Sequence, residues 1–295
     1  MNKIRVDIDN AGSRLDKFLA KNGFGFALAQ KILRKKNVKV NSKRSLGDVR
    51  LEEGDFVEIF GVESLKKSPK QKSKVSEEKI ALIKKAVIYR DENILAINKP
   101  EGIAVQAGNV EDFSIDAALP YLKFDKEETP RLVHRIDRDT SGILLLARNR
   151  KSATILNEGF KNKTIKKTYL ALVFGVPKKL EDTISIPLLE RVFGNIKKVF
   201  KSEEGKEAIT KYKILQEFEG YSLLELELIT GRMHQIRVHC KEMGHSVIGD
   251  RKYGGREKSS RELGFNRLCL HSQKVEIDDF FGEKLIIESK KPNFL

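Results

Sequence analysis

Residues 131–148 read RLVHRIDRDTSGILLLAR, and the rest of the chain is organised around them. A basic stretch holding Asp137 and Asp139 runs straight into the apolar run Ile143-Leu144-Leu145-Leu146-Ala147. That is the pattern of a loop feeding a buried strand, with charged groups at the strand's mouth. A charge at the edge of a core is costly unless it has a partner or a task. Read locally, the stretch is an ordinary turn, in which Asp137 and Asp139 cap backbone amides and Gly142 allows the bend. Only the remainder of the chain can change that reading.

The chain has 295 residues, which suggests roughly two domains, and 40% hydrophobic residues supply a sizeable core. Lys and Arg number 57 against 42 Asp and Glu, a net charge of +15. On a globular composition that excess points to a polyanion, and nucleic acid is the expected partner. No apolar run of about 18 residues is present to span a bilayer, so no membrane association is expected. Two cysteines, Cys240 and Cys269, do not suggest a disulfide framework, and MNKIRVDIDNAG lacks the apolar core of a signal peptide. A cytoplasmic protein is expected. Tryptophan is absent and aromatics make up 7%, which does not favour an aromatic stacking platform as the main binding mode.

Residues 1–60 form a first unit. The spacing predicts a helix opening at Arg14-Leu15 with Ser13 as N-cap, a second helix from Ala27 to about Lys35, and alternating strands at 38–41 and 54–59. Residues 29–44 carry seven basic side chains (Lys31, Arg34, Lys35, Lys36, Lys39, Lys43 and Arg44) and no acidic one. Spread over a helix end and the next strand, they concentrate positive potential at one corner and suit phosphate contacts. Residues 61–79, rich in Lys and Ser and poor in apolar side chains, predict a flexible basic linker. From residue 80 strands and helices mix without a βαβ rhythm, which predicts a sheet-rich α+β domain through residue 295. Its expected elements include a hairpin at 87–97, a helix capped by Ser114, strands at 168–174 and 224–228, and a helix from Met233 to about Met243.

Several chemistries lack their signatures. No glycine-rich nucleotide loop is present, and Ser141 is not in a nucleophile elbow. His234 and His239 are five apart, on different helix faces, so no metal site is expected. What remains is polar residues beside apolar strands: Asn98-Lys99-Pro100, Asp137, Tyr169, and Arg232, His234 and Arg237.

These fall in four stretches: NKPEGIAVQ (98–106), HRIDRDTSG (134–142), KKTYLALVFG (166–175) and TGRMHQIRVH (230–239). In this order they resemble the motifs of the RluA-type pseudouridine synthases, over residues 85–290, and most the RluC-like ribosomal large-subunit branch. The segment RLDKFL…AQKILRKKNVKVN…LEEGDFVEI resembles the small S-four-type RNA-binding domain, except that Phe26-Ala27 stands where a Ser-Arg pair is common.

The resemblance implies a pseudouridine synthase fold, with a mixed, largely antiparallel sheet, behind a small α/β RNA-binding domain. It implies isomerisation of uridine to pseudouridine without a cofactor, the target being large-subunit ribosomal RNA; transfer RNA is the alternative substrate, and a non-catalytic assembly factor the alternative function. The chain is expected to act as a monomer. Asp137 would be the essential aspartate, acting as nucleophile or as base and charge stabiliser at the sugar. Arg237 would be its charge partner, Tyr169 would stack on the base, and Arg135 would fill the gap left by the flipped uridine. Ile136, Met233 and Cys269 depart from the family pattern, the last two at positions expected to line the base pocket.

Overall fold

In the computed structural model the chain forms two compact units, Met1–Ser73 and Lys74–Leu295. The structure describes residues 2–7, 10–61, 75–106, 113–193, 196–254 and 257–295.

The first unit runs β1 (Asn2–Arg5), α1 (Leu15–Leu19), α2 (Gly25–Arg34), β2 (Val38–Val40), β3 (Lys43–Arg44) and β4 (Phe56–Ile59). Its strands form an antiparallel sheet in the order β1-β4-β2-β3. Leu15, Phe18, Leu19, Ala29 and Ile32 recur at helical spacing and pack with Val38, Val57 and Ile59. Strands β1 and β3 are too short to alternate recognisably, and the sequence did not announce them. Ser13 is not the cap expected of it: its hydroxyl donates to the Asn10 carbonyl. The helix needs no hydroxyl there, because Leu15 N and Asp16 N donate to the carbonyls of Val49 and Gly47 at 2.8 and 2.9 Å.

The expected linker needs correcting at its end. Residues 62–74 lie outside the described residues, but Glu77–Lys79 are already helical, in α3 (Glu77–Lys85). Glu77 and Glu78 in its first turn and Lys84 and Lys85 in its last match the helix dipole, and Ile83 anchors it. A charge run that looked like linker is in part a solvated helix face.

The second unit continues with β5 (Val87–Arg90), β6 (Ile94–Lys99), α4 (Ile115–Ala118), β7 (Arg131–Leu132), β8 (Ser141–Ala147), α5 (Arg150–Asn162), β9 (Ile165–Phe174) and β10 (Glu181–Ser185). Then come β11 (Leu188–Phe193), β12 (Ile196–Lys201), β13 (Ile209–Phe218), β14 (Tyr221–Leu228), α6 (Gln235–Glu242), α7 (Glu257–Glu262), β15 (Leu270–Phe280) and β16 (Glu283–Glu288). One ten-stranded sheet carries the order β10-β13-β14-β9-β15-β8-β6-β5, with β16 beside β15 and β7 beside β8. Every pairing in it is antiparallel except β15 with β8.

Beyond Ser141, strand β8 is apolar because both its faces are covered. Ile143 and Leu145 pack with Ala153 and Leu156 of α5, while Leu144 and Leu146 pack with Ile83 of α3 and Ile115 and Ala118 of α4. Gly142 does more than permit a bend. At φ 106° it faces Ser272, and a Cβ there would sit 2.3 Å from the Ser272 carbonyl oxygen. The close approach of β15 requires a residue without a side chain.

Candidate active site

The loop between β7 and β8 carries Asp137 to the mouth of the sheet, and several devices hold the loop. Lys99, at the end of β6, is fully buried, and its ammonium donates to the carbonyls of Pro100, Ile103 and Arg138 at 2.8, 2.9 and 3.0 Å. Burial lowers its pKa to about 7, opposed by the charges of Asp139 and Asp137. Three acceptors call for three N–H donors, which only the ammonium has. His134 Nε2 accepts from Leu145 N at 2.8 Å, so its proton sits on Nδ1, and the ring stacks on Phe160 at 4.6 Å. Burial depresses its pKa to about 3, which keeps it neutral.

Behind the loop runs a directed chain of hydrogen bonds. Arg267 Nη2 donates to Ser141 Oγ at 2.7 Å, which leaves the hydroxyl proton for His271 Nδ1, also at 2.7 Å. His271 Nε2 then donates to Ser289 Oγ at 2.7 Å, and Ser289 donates to the Gln273 carbonyl at 3.2 Å. Burial depresses His271 to about 4, consistent with a neutral ring that accepts on one side and donates on the other.

A cavity of about 480 Å³ opens against this loop. It is lined by Asp137, Tyr169, Arg237 and Arg135, four residues drawn from three stretches of the sequence. Lys161, Lys163, Lys167 and Arg232 add to its wall and rim. Lys167 was not anticipated, although it stands two residues before Tyr169 on one strand and therefore on the same face. The seven basic residues of the N-terminal unit are not among the lining. There Arg34, Lys35, Lys36, Lys43 and Arg44 are exposed, Lys31 and Lys39 half-buried, and the Lys39 ammonium lies 5.2 Å from the centre of the Phe60 ring.

Tyr169 projects from β9, and burial pushes its hydroxyl up to about 12, with the Asp137 charge acting in the same direction. It stays a phenol at neutral pH, suited to packing on a base and to hydrogen bonding rather than to acting as a phenolate base.

The expected pairing of Arg237 with Asp137 is looser than anticipated. Arg237 Nη1 lies 3.6 Å from Asp137 Oδ2. Its Nε and Nη2 donate instead to the two oxygens of buried Asp250, at 2.8 and 2.6 Å. Burial alone would lower the guanidinium's pKa; the hydrogen bonds and charge of Asp250 outweigh it and raise it. Oδ1 of Asp250 also accepts from the amides of Lys252 and Tyr253, at 2.9 and 3.0 Å. The sequence offered no sign of this role beyond a Gly-Asp step, because the pairing spans a helix and a loop.

His234 was noted in the sequence without a role. It precedes α6 in the left-handed conformation, at φ 54°. Tyr253 Oη accepts from Val199 N at 3.1 Å and shares a hydrogen bond with His234 Nδ1, 2.6 Å away. His234 Nε2 faces Asp137 Oδ2 across 3.9 Å. Burial lowers the His234 pKa despite the nearby Asp137 charge, favouring the neutral ring. His239 points elsewhere, to Thr210 Oγ1 at 2.9 Å and the Ile186 carbonyl at 3.1 Å.

A cavity of nucleotide size, walled by an aspartate, a phenol and three arginines, is matched by likeness to known proteins. Residues 93–242 fit the family model described as RNA pseudouridylate synthase. The chain belongs to that family. It is 38% identical over 277 residues to the ribosomal large subunit pseudouridine synthase C of Vibrio parahaemolyticus, covering 92% of this chain and 87% of the relative. The protein of the same name from Rickettsia felis is 38% identical over 301 residues, covering 97% and 96%. Among solved structures, the human RNA pseudouridylate synthase domain containing 4 matches with a TM-score of 0.62 and 26% identity, over 74% of this chain and 92% of that one. Human domain containing 1 matches at 0.59 and 29%, over 70% and 83%.

For a pseudouridine synthase with two departures expected in the base pocket, the lining is informative. Neither Met233 nor Cys269 faces the cavity. Met233 packs against Val199 and Val238, and Cys269 is buried with Leu170 and Leu172. Cys269 is thus a core residue and Met233 a half-buried one at a cluster's edge. Among the described residues no helix is long and apolar enough to cross a membrane.

Proposed function

We propose that this chain isomerises uridine to pseudouridine in large-subunit ribosomal RNA. One observation carries the reading: Asp137, Tyr169, Arg237 and Arg135, drawn from three separate stretches of the sequence, line a single cavity with a basic rim. The reaction breaks the bond from C1′ to N1 of the uracil and forms one from C1′ to C5. C5 loses a proton and N1 gains one, so no outside reagent is consumed. Asp137 works at the sugar, as nucleophile at C1′ or as base, with the Arg237 guanidinium 3.6 Å from its Oδ2. Tyr169 packs on the base as it turns, and the exposed Arg135 occupies the place the uridine vacates.

The ribosomal target is suggested by the names of the relatives, and it implies action in the cytoplasm. The N-terminal unit, read as an S-four-type domain, tethers RNA through Lys31, Arg34–Lys36, Lys39, Lys43 and Arg44, and one chain suffices for the reaction. The test is pseudouridine mapping on a large-subunit ribosomal RNA transcript incubated with purified protein. Product with the wild type and none with Asp137→Ala is expected; product from the mutant at the wild-type rate would refute the assignment.

A further inference from the structure

The hairpin of β11 and β12 forms a two-stranded sheet separate from the large one, with a single antiparallel bridge from Leu188 to Lys206 at its base. Its two faces differ sharply. Residues that pair directly share a face, so Glu190 with Val199 and Leu188 with Lys201 form one, and Leu189 with Phe200 and Arg191 with Lys198 form the other.

The first face is anchored. Leu188 and Val199 are buried with Ala208 and with Val238 of α6. A Cβ on Gly205 would collide with the Leu188 backbone at 2.6 Å, so the base of the hairpin is tightly closed. Lys252 Nζ donates to the Lys197 carbonyl at 2.5 Å, and Val199 N donates to Tyr253 at 3.1 Å. Glu190, the hairpin's one acidic residue, is on this face and is paired with Lys197 at 2.9 Å.

The second face is bare. Phe193 and Phe200 are 55% and 37% exposed, and their rings meet edge-on with centroids 5.9 Å apart. Arg191 and Lys198 lie on the same face, exposed. Exposed aromatics in a chain poor in them, interleaved with cations and free of acid, form a surface complementary to a phosphate backbone with unstacked bases.

We infer that the outer face of this hairpin is a second RNA-docking surface, with Arg191 and Lys198 meeting phosphates and Phe193 and Phe200 meeting unpaired bases of the strand that carries the target uridine. The inference rests on the proposed activity on RNA. Its position supports it: Val199 N donates to the Tyr253 hydroxyl, which lies 2.6 Å from His234 Nδ1, and His234 lines the cavity beside Asp137.

The test compares full-length variants on the ribosomal transcript. Arg191→Glu with Lys198→Glu is expected to weaken binding at least tenfold and to flatten the salt dependence by about two phosphate contacts. Phe193→Ala is expected to weaken binding about fivefold with the salt slope unchanged, and Phe193→Tyr to restore it. In each case the loss reads out in Kd and KM rather than kcat. The control is Lys84→Glu with Lys85→Glu in α3, an equal change of charge elsewhere. If the hairpin charge variant binds no worse than this control, or Phe193→Ala binds as wild type does, the inference is overturned. Failure of the wild type itself to make pseudouridine would instead sink the proposed function.

Discussion

Arg237 gives its two short hydrogen bonds to Asp250, at 2.8 and 2.6 Å, and stands 3.6 Å from Asp137. The fixed charge in the wall is thus positioned by one carboxylate and used by another. Asp137 makes no short hydrogen bond to Arg237, while Asp250 offsets the cost of burying the guanidinium.

Substitutions at the two aspartates should therefore part ways. Asp250→Ala leaves a buried arginine unpaired and is expected to cost about 3–5 kcal/mol of stability along with activity. Asp137→Ala should leave the denaturation midpoint nearly unchanged while lowering pseudouridine formation on the order of 10³-fold or more. Urea melts of both proteins beside product assays check the contrast.

Tyr169, with its hydroxyl pushed up to about 12, should contribute no ionisation to the activity profile between pH 6 and 9. Tyr169→Phe keeps the ring and is expected to lower kcat about 10²-fold, the scale of a lost proton-transfer or hydrogen-bonding group. Tyr169→Ala should lose packing as well and melt earlier. A limb of the pH profile that vanishes in Tyr169→Phe would contradict the protonated phenol.

Stability should fall with acid in a particular window. His134 and His271 are depressed to about 3 and about 4. The unfolded chain takes up protons near the usual histidine value while the folded chain refuses them, so the stabilisation is full above about pH 6.5 and is lost as pH falls toward those values. His271→Gln should shallow the decline between pH 6.5 and 4, read from urea midpoints at stepped pH.

Gly142→Ala puts a methyl group against the Ser272 backbone where β8 and β15 run parallel. Neither backbone can yield cheaply, so loss of several kcal/mol is expected. Circular dichroism melts and recovery of soluble protein would register it.

Legibility in the sequence followed the range of the forces involved. The hairpin at 87–97, the Ser114-capped turn before Pro120 and the strand around Tyr169 are local patterns, and all are present. Asp137, Tyr169, Arg237 and Arg135 could be named from motif resemblance, and the fold brings them to one cavity. Asp250, Tyr253 and the support from Lys99 were illegible, because their partners are supplied by tertiary contact rather than spacing. Ser13 misled because loop carbonyls took the amides a cap would have served, and α3 hid within a charge run. Helix α6 begins two residues later than its apolar spacing suggests, since His234 turns left-handed to reach Tyr253.

Strand β15 lies between β9 and β8, and so between the strand that holds Tyr169 and the strand whose loop holds Asp137. During synthesis from the N-terminus, both residues leave the ribosome more than a hundred residues before Leu270 does. Until then they have no common wall. A nascent or truncated chain ending before β15 would carry every residue of the proposed chemistry and still be inert, so the last 26 residues, from Leu270 on, decide when the enzyme comes alive.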